Sequence, residues 1–240
     1  MPRRVAPVRV RVRFDSSGGT LASVHVPDDL PQSPTPAGQL VRRDGLAASV
    51  PAVVALVLIG LALGTVNVLS NYGHTPAAEH VSKVVGNDWA WLTAGYLSAR
   101  TATSRRSAFT RSALVLYPAV LIYYPLDWMF ITQTLPEAQI PPAGFIIEAI
   151  LWMIVATFTA AGLALLAVLA RGSGGVGTLA DMAVPAFIAW TAYRSHRFQV
   201  EIPQGADPVL RDVTGVLWPT ALVVVVGVAF GGLWRRLQPS

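Results

Sequence analysis

A chain of 240 residues that is 53% hydrophobic and only 13% charged is too apolar for an ordinary soluble domain, in which about a quarter of residues carry charge. Its net charge of +5 comes without any recognised nucleic-acid-binding module, so it reads as membrane orientation and not as nucleic-acid binding. The lack of cysteine excludes disulfides, thiolate metal sites and cysteine nucleophiles.

In chain order, residues 1–45 form a basic leader with Arg3, Arg4, Arg9, Arg11 and Arg13, followed by a stretch holding Pro27, Pro31, Pro34 and Pro36. The alternation Arg9-Val10-Arg11-Val12-Arg13-Phe14 fits a half-buried strand, but a lone strand is marginal and the proline-rich piece builds no core. The leader is therefore expected to be mostly disordered and cytoplasmic, with a transmembrane helical domain over 46–236. Arg42-Arg43 precede an apolar run longer than a signal peptide needs, and no small-residue cleavage pattern follows it. A retained anchor is the expectation.

Four long apolar runs follow: Leu46–Leu69, Ser112–Leu126, Phe145–Ala170 and Val213–Trp234. Two shorter ones, Trp89–Ala99 and Leu179–Tyr193, lie between them. Crossing about 30 Å of hydrocarbon takes about 20 helical residues. The fold class expected is an all-α, polytopic membrane helix bundle with six transmembrane helices, two of them short. With the N-terminus inside, nine arginines fall on the inner side (Arg42 to Arg236) and four basic residues outside: Lys83, Arg194, Arg197 and Arg211. That asymmetry predicts a plasma-membrane protein with both termini cytoplasmic.

Asp127, Glu148 and Asp181 sit in or beside apolar runs, where an unpaired charge costs roughly 2.5–3.5 kcal/mol at a helix centre. In this topology Asp127 ends the third helix and Glu148 begins the fourth, both near the outer surface. Asp181 lies in the first turn of the fifth, where the helix dipole suffices to explain it. With the dense aromatic segment Tyr123-Tyr124-Pro125-Leu126-Asp127-Trp128, the candidate ligand-binding residues are Tyr124, Asp127, Trp128 and Glu148. The bland account places the acids and rings in the interfacial belt.

Gly60 with Gly64 and Gly227 with Gly231 are small-xxx-small pairs that let helices approach closely, within the chain or between copies. Asn67 is expected to hydrogen-bond across such a contact. His74, His80 and His196 match no metal-ligand spacing. No nucleophile triad, zinc-hydrolase or phosphate-loop motif is present. No enzymatic activity, no metal and no cofactor are expected.

The two short runs occupy corresponding places in each half of the domain, the arrangement that points to an inverted repeat around a midplane site. From Gly60 to Tyr124, through Gly60-Leu61-Ala62-Leu63-Gly64, an outer loop closing on Trp89, an Ala99-Arg100 turn and a helix ending Tyr123-Tyr124, the chain resembles a family of uncharacterised actinobacterial integral membrane proteins. The resemblance implies a bacterial membrane setting and transfers no activity.

Two functions follow as expectations. The first is a non-enzymatic packing or partner-binding membrane subunit, touching lipid and forming homo- or hetero-oligomers through its glycine-rich faces. The alternative is a small-molecule transport component, similar to the six-helix substrate-capture subunits of energy-coupling-factor importers. They differ at one place. In the alternative, Tyr124, Asp127, Trp128 and Glu148 converge on an outward pocket, and in the first they splay into the headgroup layer.

Overall fold

The computed structural model describes residues 49–135, 141–172, 174–202 and 206–237, so the leader expected over 1–45 lies outside the described residues. All of the described residues belong to one unit, Asp44–Ser240. Among them are seven helices and no strand: α1 (Val50–Asn71), α2 (Pro76–Val85), α3 (Asp88–Arg100), α4 (Arg105–Thr134), α5 (Pro142–Leu169), α6 (Gly175–Glu201) and α7 (Pro208–Leu237).

Five of these, α1 and α4 to α7, are long and apolar enough to cross a membrane. Their most apolar stretches bury only 11–28% of their residues inside the protein. Ile147, Phe158 and Val223 are 69%, 75% and 70% exposed. In water such a surface would aggregate, whereas hydrocarbon is its natural solvent. The all-helical membrane protein expected from the runs is what folds.

Helix starts follow local chemistry. The Thr75 hydroxyl accepts from the Ala78 amide at 3.2 Å, with Pro76 in the first turn of α2. Ser104 accepts from Ser107 to open α4, and Asp207 accepts from Leu210 at 2.9 Å to open α7. Such caps satisfy amides that have no partner within the helix.

Three boundaries depart from expectation. The short run Leu179–Tyr193 lies within the 27-residue α6, so only one short element remains. The polar turns Arg194–Glu201 continue the helix, held by an Arg197–Glu201 ion pair and by His196 Nδ1 against the Arg211 carbonyl at 3.1 Å. Nor does Asp127 end its helix. α4 passes through Pro118 and Pro125 to Thr134, since a proline removes one backbone bond without forcing an end when neighbours hold the helix. Lastly, α2 is an additional amphipathic helix with no buried residue.

Among the described residues the inverted repeat is not present. α1 packs along α4, but α5 and α7, the corresponding pair in the second half, have no comparable contact. The short α3 has no short counterpart either, because α6 is full length.

α3 stands among α4, α5 and α6, with an alanine-rich core of Ala99, Ala160, Ala164 and Ala167 around Tyr96 and Leu163. Small side chains let backbones approach where no hydrophobic effect drives helices together. The α1–α4 seam is close-packed through glycine. A Cβ on Gly60 would lie 2.2 Å from the Val115 carbonyl oxygen, and one on Gly64 2.4 Å from that of Ala119.

Candidate functional site

The 13 residues of α3 span only about 20 Å, against about 40 Å or more for its long neighbours. Its first turn, where the Trp89 indole donates to Thr191 at 2.9 Å, stops ten residues short of the end of α6. The space left between the longer helices is a cavity of about 540 Å³, within the range of small-molecule sites.

Two helices supply most of its wall with the same spacing. On α4 the lining residues are Leu116, Val120, Tyr123, Tyr124 and Asp127, and on α5 they are Glu148, Trp152, Val155, Ala156 and Thr159. Offsets of four, seven, eight and eleven keep each set on one helical face over about 16 Å. The carboxylates lie toward one end of the bundle, and Leu116 and Thr159 lie deepest. Trp91 and Leu92 of α3 add to the wall, with Phe187 of α6 and Asn67 of α1. The turn between α2 and α3 contributes Gly86 and Asp88.

Of the residues singled out in the sequence, Tyr124, Asp127 and Glu148 are brought together on this wall, and Trp128 is not among its lining residues. One residue past Asp127 is about 100° around the helix, and the Trp128 carbonyl accepts from Thr132. Asp88, Tyr123 and Trp152 were not singled out as lining residues. Asp88 and Glu148 are exposed at the rim, Asp127 is half-buried and Tyr124 is buried.

Asp127 is oriented by Tyr72, just beyond α1, whose hydroxyl donates to Oδ1 at 3.0 Å while its ring stacks on Phe130 at 5.1 Å. Burial, together with the Asp127 carboxylate that holds its proton, pushes the Tyr72 hydroxyl up to about 12. Among the described residues no cation is paired with Asp88, Asp127 or Glu148. Nor do three or more His, Asp or Glu side chains among them converge as a metal site would require.

Asn67 does not make the hydrogen bond across α1 and α4 that its position suggests. It is 95% removed from solvent (5% exposed), and its Oδ1 has no hydrogen-bond partner among the described residues. That oxygen lies against Gly86, where a Cβ would come within 2.9 Å of it.

No family model, curated protein or solved structure matches this chain.

At the opposite end Asp181 is paired, while Arg111 Nε and Ser112 Oγ, both buried, have no hydrogen-bond partner among the described residues. Asp181, in the second turn of α6, accepts from the Tyr96 hydroxyl at 2.8 Å and meets the Arg100 guanidinium at 3.2 Å. The helix dipole alone does not account for it: its partner cation is the last residue of α3, just past the apolar run. Arg171 donates to the Ala99 carbonyl at 3.3 Å and Arg111 to that of Thr101 at 2.9 Å. The turn after α3 is thus tied to both neighbouring helices.

The glycine pairs divide. Gly60 and Gly64 pack against α4, but Gly227 and Gly231 have nothing within 4 Å of where a Cβ would stand, and the glycines of α7 that meet a neighbour are Gly215, against His196, and Gly232, against Thr178. The hexad spacing of His74 and His80 does not assemble a ligand set either; His80 Nδ1 lies 2.8 Å from the Pro76 carbonyl within α2.

Proposed function

We propose that this chain is the membrane-embedded capture component of a small-molecule transport process, without enzymatic activity of its own. Its cavity opens to the outer face of a bacterial plasma membrane, and both termini are cytoplasmic. The observation that carries this reading is the cavity of about 540 Å³ bordered by Asp127 and Glu148. A filled bundle would leave those carboxylates in the headgroup layer with nothing between them. A hollow of ligand size with charge at its rim and aromatic rings on its wall is instead the usual form of a small-molecule site.

The orientation is supported by the arginines. Arg100, Arg105, Arg106, Arg111 and Arg171 flank the closed end, and Arg235 joins them because Gly232 of α7 sits against Thr178 at the start of α6. On this reading α3 is the sixth transmembrane element. It starts part-way down from the outer face and ends among the inner arginines, and its first turns form one side of the site.

The test uses the absence of native cysteine. A T159C variant, deep in the cavity, should react with a membrane-impermeant thiol reagent added from the outer side of intact cells. Protection of T159C from the outside, with reaction only after lysis, would overturn the outward-facing site.

One observation favours a second, compatible reading as a partner-binding subunit: Gly227 and Gly231 leave an open small-residue face on α7, the surface on which membrane helices pair closely. A G231C variant should form an oxidised dimer or a cross-link to a partner in the membrane. A monomer under oxidising conditions would remove this reading.

A further inference from the structure

The lining of the cavity is selective in charge. Asp88, Asp127 and Glu148 border it, and among the described residues no lysine, arginine or histidine does. The first turn of α3 would by itself offer partial positive charge to an anion, but Asp88 occupies that turn with a carboxylate. The field inside therefore favours a cation.

The kind of cation follows from where the groups stand. The three acids come from different elements and do not converge on one point, which suits a charge on an organic molecule and not a bare metal ion. Between them and the floor stand Trp91, Tyr123, Tyr124 and Trp152, rings whose faces attract ammonium groups and whose area takes up an apolar body. An inorganic ion would leave their apolar area unused.

Asn67 adds a third, independent indication. It lines the cavity, nine-tenths of it and more is buried, and its Oδ1 accepts from nothing among the described residues. A buried acceptor left without a donor is costly, and most are satisfied by a partner or by an ordered molecule. A ligand bearing N–H donors supplies what is missing.

We propose that the cavity binds a protonated primary amine with an aromatic or similarly broad apolar body, its ammonium balanced by Asp127 and Glu148 and donating to Asn67, its body against the tryptophan and tyrosine rings. This rests on the cavity being an accessible ligand site. The ammonium enters with its charge neutralised at the rim, so the apolar body reaches the deeper wall near Leu116 and Val120 without carrying an unpaired charge there.

The experiment is calorimetric titration of the full chain in lipid nanodiscs with 2-phenylethylammonium, phenylacetate and benzyltrimethylammonium. The first should saturate a single site. Phenylacetate, with the same ring and opposite charge, should not. D127N and E148Q should each weaken 2-phenylethylammonium about tenfold, the effect of losing one charge-assisted contact. N67A should weaken 2-phenylethylammonium but leave benzyltrimethylammonium, which has no N–H, unchanged. Binding of phenylacetate as tight as that of the amine would overturn the proposal, and so would no saturable amine binding to the unmodified chain. Full affinity in both carboxamide variants counts against it equally. The ring-matched pair of opposite charge needs no variant, so misfolding of a variant does not blur the result. If T159C is labelled from outside and the amine does not bind, the amine proposal fails alone. If T159C is protected as well, both readings fall.

Discussion

At the Arg100 end the carboxylate of Asp181 meets a guanidinium at 3.2 Å and a tyrosine hydroxyl at 2.8 Å. At the Asp127 end three carboxylates border a cavity, and no cation among the described residues is paired with them. Both ends belong to the same helices, so the contrast is not one of composition. It comes from the length of α3, which fills the space at one end and stops short at the other. Where the helix is present, the carboxylate has its cation and the packing closes. Where it is absent, charge is left for something that enters.

The comparison breaks most readily at its closed end. R100A removes the cation from Asp181, whose side chain is 17% exposed, and should destabilise the protein by about 2–3 kcal/mol, below a fully buried pair because solvent reaches both partners in part. The double variant R100A/D181N should recover part of that loss. Unfolding monitored by tryptophan fluorescence in detergent micelles checks both, and a double variant as unstable as the single one would mean that the pair is not what holds this end.

A middle-sized effect is expected at Tyr72. Y72F removes the hydroxyl that orients Asp127 and should cost about 1 kcal/mol, the usual net contribution of one hydrogen bond. Its pH dependence has a definite sign. The folded state holds the Tyr72 proton more tightly than the unfolded chain, up to about 12 against the ordinary 10.0. The contribution is therefore complete below pH 10 and is lost as pH rises through about 12. The gap between the native chain and Y72F should close over that range, and a gap that stays constant would remove Tyr72 from the account.

The smallest effect belongs to the open end. E148Q should change unfolding stability by no more than about 0.5 kcal/mol, because no partner cation is stranded. A loss as large as that of R100A would show that Glu148 holds the fold together and is not kept for a ligand.

Much of this contrast could be read in advance from the chain, and its physical limits are specific. α1, α5 and α7 lie close to their apolar runs because nothing but hydropathy decides them. α4 and α6 extend beyond their apolar runs at both ends, since a helix does not stop where hydropathy drops. Asp127 and Arg194 lie where the apolar runs end, and the backbone continues past them on helical hydrogen bonds of its own. α2 announces itself with Thr75, Pro76 and Glu79, a capping signal hidden in a stretch that otherwise reads as a loop.

The site was half legible. Asp127 and Glu148 are visible because carboxylates are rare beside apolar runs, and Tyr124 through its aromatic neighbours. Trp152 looked like one more interfacial ring, although the spacing of Glu148, Trp152, Val155, Ala156 and Thr159 repeats that of Leu116 to Asp127 and marks two matching faces. Asp88 and Asn67 carried no such signal. What makes them part of the site is the end of α3, a tertiary fact about which space is left empty.

The central claim is that an aqueous cavity reaches past the carboxylates into the membrane-spanning part of the bundle. It is tested most directly by the rates at which a membrane-impermeant thiol reagent, added outside, modifies cysteine at two adjacent positions of α5. Thr159 lines the cavity and Phe158, 75% exposed, faces the surrounding hydrocarbon. The account predicts that T159C reacts at least about tenfold faster than F158C, as access to water at equal depth requires. Equal rates, or a faster F158C, would contradict it.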